Sequence, residues 1–420
     1  MHDTTPLSSP TETPTRFSAD DSAGGTAAEF FAAQRLAGAL LPPHRLRALL
    51  EAADGSPLAA LALPLTALCG PPVGLTEKQA ARVRDAASAP LSARLPERAI
   101  ALGAWIITYR DAAYPANMLP LSDAPPLLFV RGTLFSDDKF SVAIVGSRRA
   151  TIYGRAQSER FARAFAERGL TVVSGGAAGI DTSAHQGTLR EGGRTIAVLG
   201  CGIDVTYPAE NRKLFAEIAE RGGAVVSEFP LETTPEPWRF PTRNRIIAGM
   251  TRGTVLIETP EGSGALITAR NAAEYGRDVW AVPGPVEGGR SKGCHRLIQD
   301  GAALADCPDD VLTALGITPA EAAAPQEAAE ATPRPKAVTS SAIGTLSLEE
   351  VSPPPPPLAP VNLPPDERKL LDALDLTPQH LDTASARAGL SASQATVAAT
   401  LLEMKGLLKR YPGNLFSRRL

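Results

Sequence analysis

The order of apolar and polar positions divides the chain into three parts. From residue 28 to about residue 90, leucines, alanines and phenylalanines recur at helical spacing, which predicts a series of short helices. From residue 139 onward, short apolar runs of strand length alternate with amphipathic helical patterns. The predicted strands are 141–146, 171–174, 194–199, 224–227, 254–258 and 278–282. This alternation is typical of a doubly wound α/β sheet, in which ligands bind beyond the carboxyl ends of the strands.

Capping residues mark the ends of several predicted helices. Helices are predicted over 77–87, 156–168, 181–190 and 265–275. Thr76 and Ser263 stand where an N-cap is needed, because their hydroxyls can accept a hydrogen bond from a free backbone N–H group. Gly169 and Gly276 follow the last turn of their helices, where a left-handed residue commonly ends a helix.

Composition changes along the chain indicate the domain boundaries. The first residues are polar with little to bury, and residues 317–363 are rich in alanine, glutamate and proline, with five consecutive prolines at 353–357. Beyond this linker, helical patterns at 368–374, 381–387 and 391–404 precede a short hairpin, the order of a winged helix. We therefore expect a disordered tail over 1–27, a small helical domain over 28–103, an α/β domain over 104–316, a linker over 317–363 and a winged-helix-like domain over 364–420.

Two segments of the first half need separate interpretation. Residues 69–75, CGPPVGL, form a tight turn between helices and weakly resemble a helix-hairpin-helix element, whose N–H groups can bind a DNA phosphate. We favour a helical module that packs or binds protein. Residues 104–132 combine prolines with short β-rich pieces, which predicts an edge strand and a connector into the α/β domain.

Composition excludes several classes of protein. The start of the chain has no apolar signal segment, and no stretch approaches the length of a membrane span, so we expect a cytoplasmic protein. The net charge of −3 argues against a uniformly basic surface but permits a local basic groove. The four cysteines are far apart, and Cys294 and His295 have no clustered third ligand, so we expect no disulfide and no metal.

Two glycine turns follow neighbouring predicted strands. The first is Gly146-Ser147-Arg148-Arg149, and the second contains Gly175, Gly176 and Gly179. Side by side, they would direct backbone N–H groups, a hydroxyl and guanidinium groups toward one anion. The first turn lacks the GxGxxG pattern, and the next strand ends in Ser174 rather than an acidic residue, which argues against a dinucleotide cofactor.

An arginine-rich segment follows at residues 238–245, WRFPTRNR. Arg239, Arg243 and Arg245 are interleaved with Trp238 and Phe240, a combination that allows phosphate pairing together with base stacking. Beside the two glycine turns, this segment is the strongest indication of single-strand nucleic-acid binding in the chain. A further glycine loop at 262–264 opens the helix that begins near residue 265.

One pair of residues invites a catalytic interpretation. Asp181 and His185 stand four residues apart on a predicted helix and could interact. Catalysis would also need a nucleophile or water position and a third orienting group. We therefore favour a structural role for the pair and predict no catalytic residue.

The motifs closely resemble those of the DNA-processing protein A (DprA/Smf) family. The matching segments are VAIVGSR (142–148), SGGAAGID (174–181), AH (184–185), TIAVLGCGIDVTYP (195–208), SEFP (227–230), FPTRNRIIAG (240–249), GSGALITA (262–269), AVPG (281–284) and GCHRLIQDGA (293–302). The resemblance is dense over residues 139–315. The helical domain occupies the place of the family's sterile-alpha-motif-like domain, and the terminal segment fits the family's C-terminal domain.

The resemblance implies a single-stranded DNA-binding protein without enzymatic turnover that loads the RecA recombinase in natural transformation. It also implies an extended Rossmann-like core, a homodimer, no cofactor and no membrane association. The implied DNA-binding residues are Ser147, Arg148, Arg149, Gly175, Gly176, Gly179, Arg239, Phe240, Arg243 and Arg245, with Phe240 as the stacking ring and Arg243 and Arg245 in a loop.

The sequence departs from the family pattern at two positions. Ala178 and His295 stand where family members commonly carry Arg and Asn. Arg149 or Arg239 could supply the missing charge beside the phosphate.

Two alternative functions are compatible with parts of the sequence. Rossmann-like nucleotide phosphoribohydrolases also combine a GS turn with glycine loops, but the loop EGSGALIT lacks their Pro-Gly-Gly and the helix glutamate that does the chemistry. The winged-helix-like domain could instead act as a DNA or protein adaptor. Its end is basic, through Lys405, Lys409, Arg410, Arg418 and Arg419. Its predicted second and third helices carry only Arg387, which slightly favours protein contact.

Deleting residues 364–420 tests where single-stranded DNA binds. We expect the truncated protein to keep its single-strand affinity, because the predicted site lies in the α/β domain. Gel shifts with single-stranded and duplex DNA, compared with the full chain, measure this. If single-strand binding disappeared with the deletion, the α/β crevice would not be the site.

Overall fold

The computed structural model describes residues 25–317, 364–375, 379–405, 407–411 and 415–418. Two compact units, separated between residues 329 and 330, make up the chain. Nearly all of the expected tail and linker lies outside the described residues, as does the turn 412–414 of the expected C-terminal hairpin. None of the helices within the described ranges has the length and apolar character that crossing a bilayer requires.

Short helices form the start of the first unit, as the sequence predicts. They are α1 (Gly25–Gly38), α2 (Pro43–Glu51), α3 (Pro57–Ala62), α4 (Leu65–Cys69), α5 (Glu77–Ser88) and α6 (Leu95–Leu102). The predicted cap of α5 is confirmed, since Thr76 forms a reciprocal capping box with Gln79. The module packs on the sheet through α1, where the Gln34 side chain exchanges two hydrogen bonds with the Leu231 backbone, each 2.9 Å long.

The turn at 69–75 uses most of its backbone N–H groups within the helical module. The N–H groups of Gly70, Gly74 and Leu75 donate to carbonyl oxygens within the same module. Pro71 and Pro72 have no N–H group to donate. This geometry supports the packing interpretation over phosphate binding.

A mixed sheet of nine strands lies within the described part of the first unit. The strands are β1 (Ala104–Thr108), β2 (Leu127–Gly132), β3 (Ser141–Gly146), β4 (Thr171–Ser174), β5 (Thr195–Val198), β6 (Ala224–Ser227), β7 (Gly253–Ile257), β8 (Asp278–Ala281) and β9 (Ala303–Leu304). Their order is β1-β2-β6-β5-β4-β3-β7-β8-β9. All six predicted strands are confirmed, and the predicted edge strand is β1, antiparallel to β2, which in turn is antiparallel to β6.

The helices of the α/β part fill the connections between strands. They are α7 (Ile152–Glu167), α8 (Ile180–Arg190), α9 (Arg212–Glu220), α10 (Arg239–Met250), α11 (Ala265–Glu274), α12 (Lys292–Gln299) and α13 (Pro308–Ala314). Gly169 and Gly276 have left-handed backbones just beyond α7 and α11, as expected. Ser263 acts as the predicted cap of α11, since its Oγ accepts from the N–H of Ala265 at 3.3 Å. Gly264, whose backbone is already helical, directly precedes the first assigned residue of the helix.

The core lies on both faces of β3. Val142 and Ile144 pack in one apolar cluster with the phenylalanines of α7. Ala143 and Val145 belong to the other cluster, together with the isoleucines of α10. The chain runs outward from β3 through β4, β5 and β6, then returns to the other side of β3 with β7. A ligand crevice is expected at such a reversal of strand order.

The second unit has the winged-helix order of elements. It contains α14 (Pro365–Ala373), β10 (Gln379–His380), α15 (Leu381–Ala388), α16 (Ala392–Met404), β11 (Leu408–Tyr411) and β12 (Leu415–Arg418). Strand β12 pairs antiparallel with both β10 and β11. Of the basic residues expected at its end, Lys405 is bonded to the buried carboxylate of Glu367 at 2.6 Å. Arg419 and the side chains of Lys409 and Arg410 lie outside the described part of the chain.

The Asp181–His185 contact that their spacing allows does not form on α8. His185 Nδ1 lies 2.7 Å from Thr195 Oγ1, whose hydroxyl already donates to the carbonyl oxygen of Val172. His185 Nδ1 therefore carries a proton and donates it to Thr195, and its Nε2 is buried without a hydrogen-bond partner among the described residues. Burial, together with the nearby Arg243 guanidinium, lowers the pKa of His185 to about 3.

Acid titration of stability tests this assignment. Between about pH 6.5 and pH 3, the unfolded chain takes up a proton at His185 that the folded chain does not. Stability should therefore fall as the pH drops through this window, by up to about 1.4 kcal/mol per pH unit from this group. In His185→Asn, whose amide can still donate to Thr195, we expect a correspondingly shallower decline in urea denaturation. Equal slopes in the two proteins would contradict a neutral, buried His185.

Candidate nucleic-acid interface

A cavity of about 570 Å³ opens at the reversal point between β3 and β7. Its lining includes residues 145–149, from the end of β3 into the following turn, and residues 260–265, which follow β7. The first turn of α10 adds Phe240, and the loop after β5 adds Tyr207. The cavity therefore combines polar strand ends with aromatic rings.

The first glycine turn is shaped by close backbone packing. A Cβ on Gly146 would lie 2.0 Å from the carbonyl oxygen of Ile257 on β7, so no side chain fits there. The chain turns immediately, and the buried Ser147 hydroxyl accepts from the N–H of Arg149 at 3.1 Å. Arg148 and Arg149 follow with exposed side chains that line the cavity.

The second glycine turn lies directly against the first, as the sequence predicts. Gly179 has a left-handed backbone with φ of 86°, and a Cβ there would lie 2.3 Å from the carbonyl oxygen of Ser147. The same carbonyl oxygen accepts from the N–H of Ile180 at 3.1 Å. Gly175 and Gly176 pack against Arg243 and Phe215, and none of these three glycines lines the cavity. Their small size allows the turns to meet.

Arg243 occupies a different position from the one expected of it. It lies on α10 and not in a loop, and it is only 4% exposed. Its Nη1 donates to the carbonyl oxygens of Gly175 and Val198, at the ends of β4 and β5. Burial lowers the pKa of Arg243 to about 10, with the Asp181 carboxylate opposing the shift. Arg243 lines the cavity, but its guanidinium is already engaged with the protein.

Asp181 is the counter-charge beneath the cavity. It is buried, and its carboxylate accepts from the N–H of Ala177 at 3.3 Å. Burial raises the pKa of Asp181, and the positive charge of Arg243 opposes that rise. Asp181 and Arg243 interact electrostatically without an ion-pair contact, and the bond from Ala177 to Asp181 supports the second turn.

The other two arginines of the segment point away from the cavity. Arg245 pairs with Glu228, and both side chains are largely buried. Arg239 pairs with Glu236 at 3.1 Å and stacks on the ring of Trp238, 4.9 Å from its centroid. Neither arginine lines the cavity. The expectation that Arg243 and Arg245 lie in a loop is wrong, because both lie on α10. Arg149 and Arg239 were the two residues expected to replace the positive charge that Ala178 lacks. Of these two, Arg149 lines the cavity and Arg239 does not.

Phe240 lies where a stacking ring was predicted. Gly200 leaves room for it, since a Cβ there would lie 3.0 Å from Phe240 Cδ1. The Arg148 guanidinium carbon lies 4.7 Å from the centroid of the ring. This contact places a cation and an aromatic surface together at the mouth of the first turn.

Sequence reasoning missed Tyr207, Asn244 and the loop residues 260–264 as cavity residues. Tyr207 could have been found, because it follows the third strand of the parallel run. Asn244 stands within the arginine-rich segment, where its Nδ2 donates to the carbonyl oxygen of Gly264 at 3.0 Å. That bond joins α10 to the loop after β7.

Comparison with known proteins agrees with this architecture. The family model for DNA recombination-mediator protein A matches residues 105–316, and the DprA winged helix domain matches residues 353–414. Protein Smf from Synechocystis sp. is 36% identical over 318 residues, which cover 74% of this chain and 80% of that protein. DNA processing protein DprA from Streptococcus pneumoniae is 45% identical over 202 residues, covering 48% of this chain and 71% of that protein.

A solved structure extends the comparison to the fold. DNA processing protein A from Streptococcus pneumoniae superimposes with a TM-score of 0.58 at 35% identity, covering 68% of this chain and 97% of that structure. The predicted Rossmann-like core and winged helix are thereby confirmed. The chain belongs to the DNA recombination-mediator protein A family, the DprA/Smf proteins.

Proposed function

We propose that this protein binds single-stranded DNA in the cavity between β3 and β7, without enzymatic turnover, and takes part in DNA processing during natural transformation. The observation that carries the proposal is the pair of exposed guanidinium groups, Arg148 and Arg149, at a strand end beside the Phe240 ring. Among the described residues, neither side chain forms an ion pair with a carboxylate. Both positive charges are therefore available to phosphates.

The mixture of cations and rings favours a single strand over a duplex. Stacking on protein rings requires bases that are not already stacked and paired, and any base can supply the aromatic face. A phosphate contact adds affinity without reading sequence. The site thus suits sequence-independent binding of a flexible strand.

Family membership supports a wider role for the bound strand. The description of the family as a recombination mediator fits a protein that passes single-stranded DNA to a recombinase. We propose RecA as that partner and a homodimer as the working form, as the resemblance implies. Ser147, Arg148, Arg149 and Phe240 are the proposed contacts, whereas Gly175, Gly176, Gly179 and Arg243 support the turns.

The salt dependence of binding in Arg148→Ala tests the proposal. Loss of one phosphate contact should weaken binding to every sequence and make the log–log salt slope less steep by about 0.7. Fluorescence anisotropy with single-stranded oligomers between about 50 and 200 mM salt measures both quantities. Arg221→Ala is the matched control, because Arg221 is an exposed arginine directly after α9 that pairs with Glu217 and does not line the cavity.

Two outcomes would contradict the proposal. An unchanged slope in Arg148→Ala would remove this arginine from the DNA site. Release of free base from AMP or cytokinin-type nucleotides would instead support the phosphoribohydrolase alternative.

A further inference from the structure

Tyr207 is the most exposed ring in the cavity lining. It lies in the loop between β5 and α9, and its residue surface is 41% exposed. Its ring centroid is 5.3 Å from that of Phe240, with 36° between the ring planes. Tyr207 lies in the loop after β5 and Phe240 lies on α10, so the fold brings together two rings that are far apart in the sequence.

Of the two rings, Phe240 has more contacts with neighbouring groups of the protein. The Arg148 guanidinium lies over it at 4.7 Å, Tyr207 packs beside it, and its edge lies against Gly200. Tyr207 has no second aromatic or cationic neighbour among the described residues, and its hydroxyl forms no hydrogen bond to any of them. A large aromatic surface exposed beside a charged crevice suits a planar apolar ligand.

We propose that Tyr207 forms a stacking subsite for one nucleobase, adjacent to the phosphate contact made by Arg148. This inference rests on the proposed single-strand binding and extends it to a second aromatic contact. Arg148 and Tyr207 both contact the Phe240 ring, which places the phosphate and base sites next to each other. Because a ring face accepts every base, the subsite contributes affinity without sequence preference.

A base-stacking contact differs from a phosphate contact in what it recognises. Loss of the ring should weaken binding only to strands that carry bases and should leave the number of released counterions unchanged. Loss of a cation should also weaken binding to a bare sugar–phosphate chain and reduce the salt slope. Comparing a thymidine oligomer with an abasic oligomer of equal length therefore separates the two.

The experiment measures the affinity of the full chain and its variants for both oligomers by fluorescence anisotropy. We expect Tyr207→Ala to bind the thymidine oligomer about 5- to 100-fold more weakly, with an unchanged salt slope. Its affinity for the abasic oligomer should equal that of the wild type. Tyr207→Leu, which keeps apolar bulk without a ring, should weaken thymidine binding in the same direction.

Two control variants sharpen the comparison. Tyr207→Phe should bind like the wild type, because the hydroxyl has no hydrogen bond to lose among the described residues. Phe140→Ala removes an aromatic residue, 45% exposed, that precedes β3 and does not line the cavity, and should leave both affinities unchanged. Equal weakening by Phe140→Ala would contradict a specific role for Tyr207.

The remaining outcomes separate the subsite from the function on which it rests. The subsite would be overturned if Tyr207→Ala bound the thymidine oligomer as tightly as the wild type, or if it bound both oligomers more weakly by the same factor. In either case, wild-type binding to DNA and the reduced salt slope of Arg148→Ala would still support the proposed function. A wild type that bound neither oligomer would overturn the proposed function itself. Thermal unfolding of each variant shows whether lost affinity reflects lost folding.

Discussion

The buried guanidinium of Arg243 is the interaction on which the crevice depends. It joins the carbonyl oxygens of Gly175 and Val198, so that one side chain from α10 ties together the ends of β4 and β5. Its charge also stabilises the buried carboxylate of Asp181 at the start of α8. Removing the Arg243 side chain would deprive both carbonyl oxygens of this partner, and a hydrogen bond to a charged group typically contributes about 1.5–3 kcal/mol. The buried guanidinium holds the ends of β4 and β5, whereas Arg148 and Arg149 keep exposed side chains in the cavity.

Much of the fold could be predicted because its determinants are local. The unbroken apolar run of β3 and the glycine that ends it specify a buried strand and a sharp turn, and both are present. The meeting of the two glycine turns follows from the parallel sheet, since the carboxyl ends of adjacent strands share an edge. Thr76 likewise needed only its neighbour Gln79 to form its capping box.

The roles of the arginines could not be predicted, because they depend on partners far along the chain. Arg243 is fixed by carbonyl groups 45 and 68 residues away, and Arg245 by Glu228 on another element. The sequence of an arginine-rich segment does not show whether its guanidinium groups face solvent or are paired with other groups in the protein interior. Helix periodicity over Arg239–Met250 explains part of the result, since Arg245 projects away from the face that carries Arg239 and Arg243, which are four residues apart.

The contact between the two glycine turns also bears on the thermodynamics of binding. Gly146 and Gly179 bring backbone against backbone with no space for a side chain, so neither turn can shift without displacing the other. A site held in this way needs little rearrangement to receive a ligand, and preorganisation of this kind reduces the entropy lost by the protein. Most of the ordering that accompanies binding would then occur in the proposed single-stranded ligand, whose stiffness becomes a determinant of affinity.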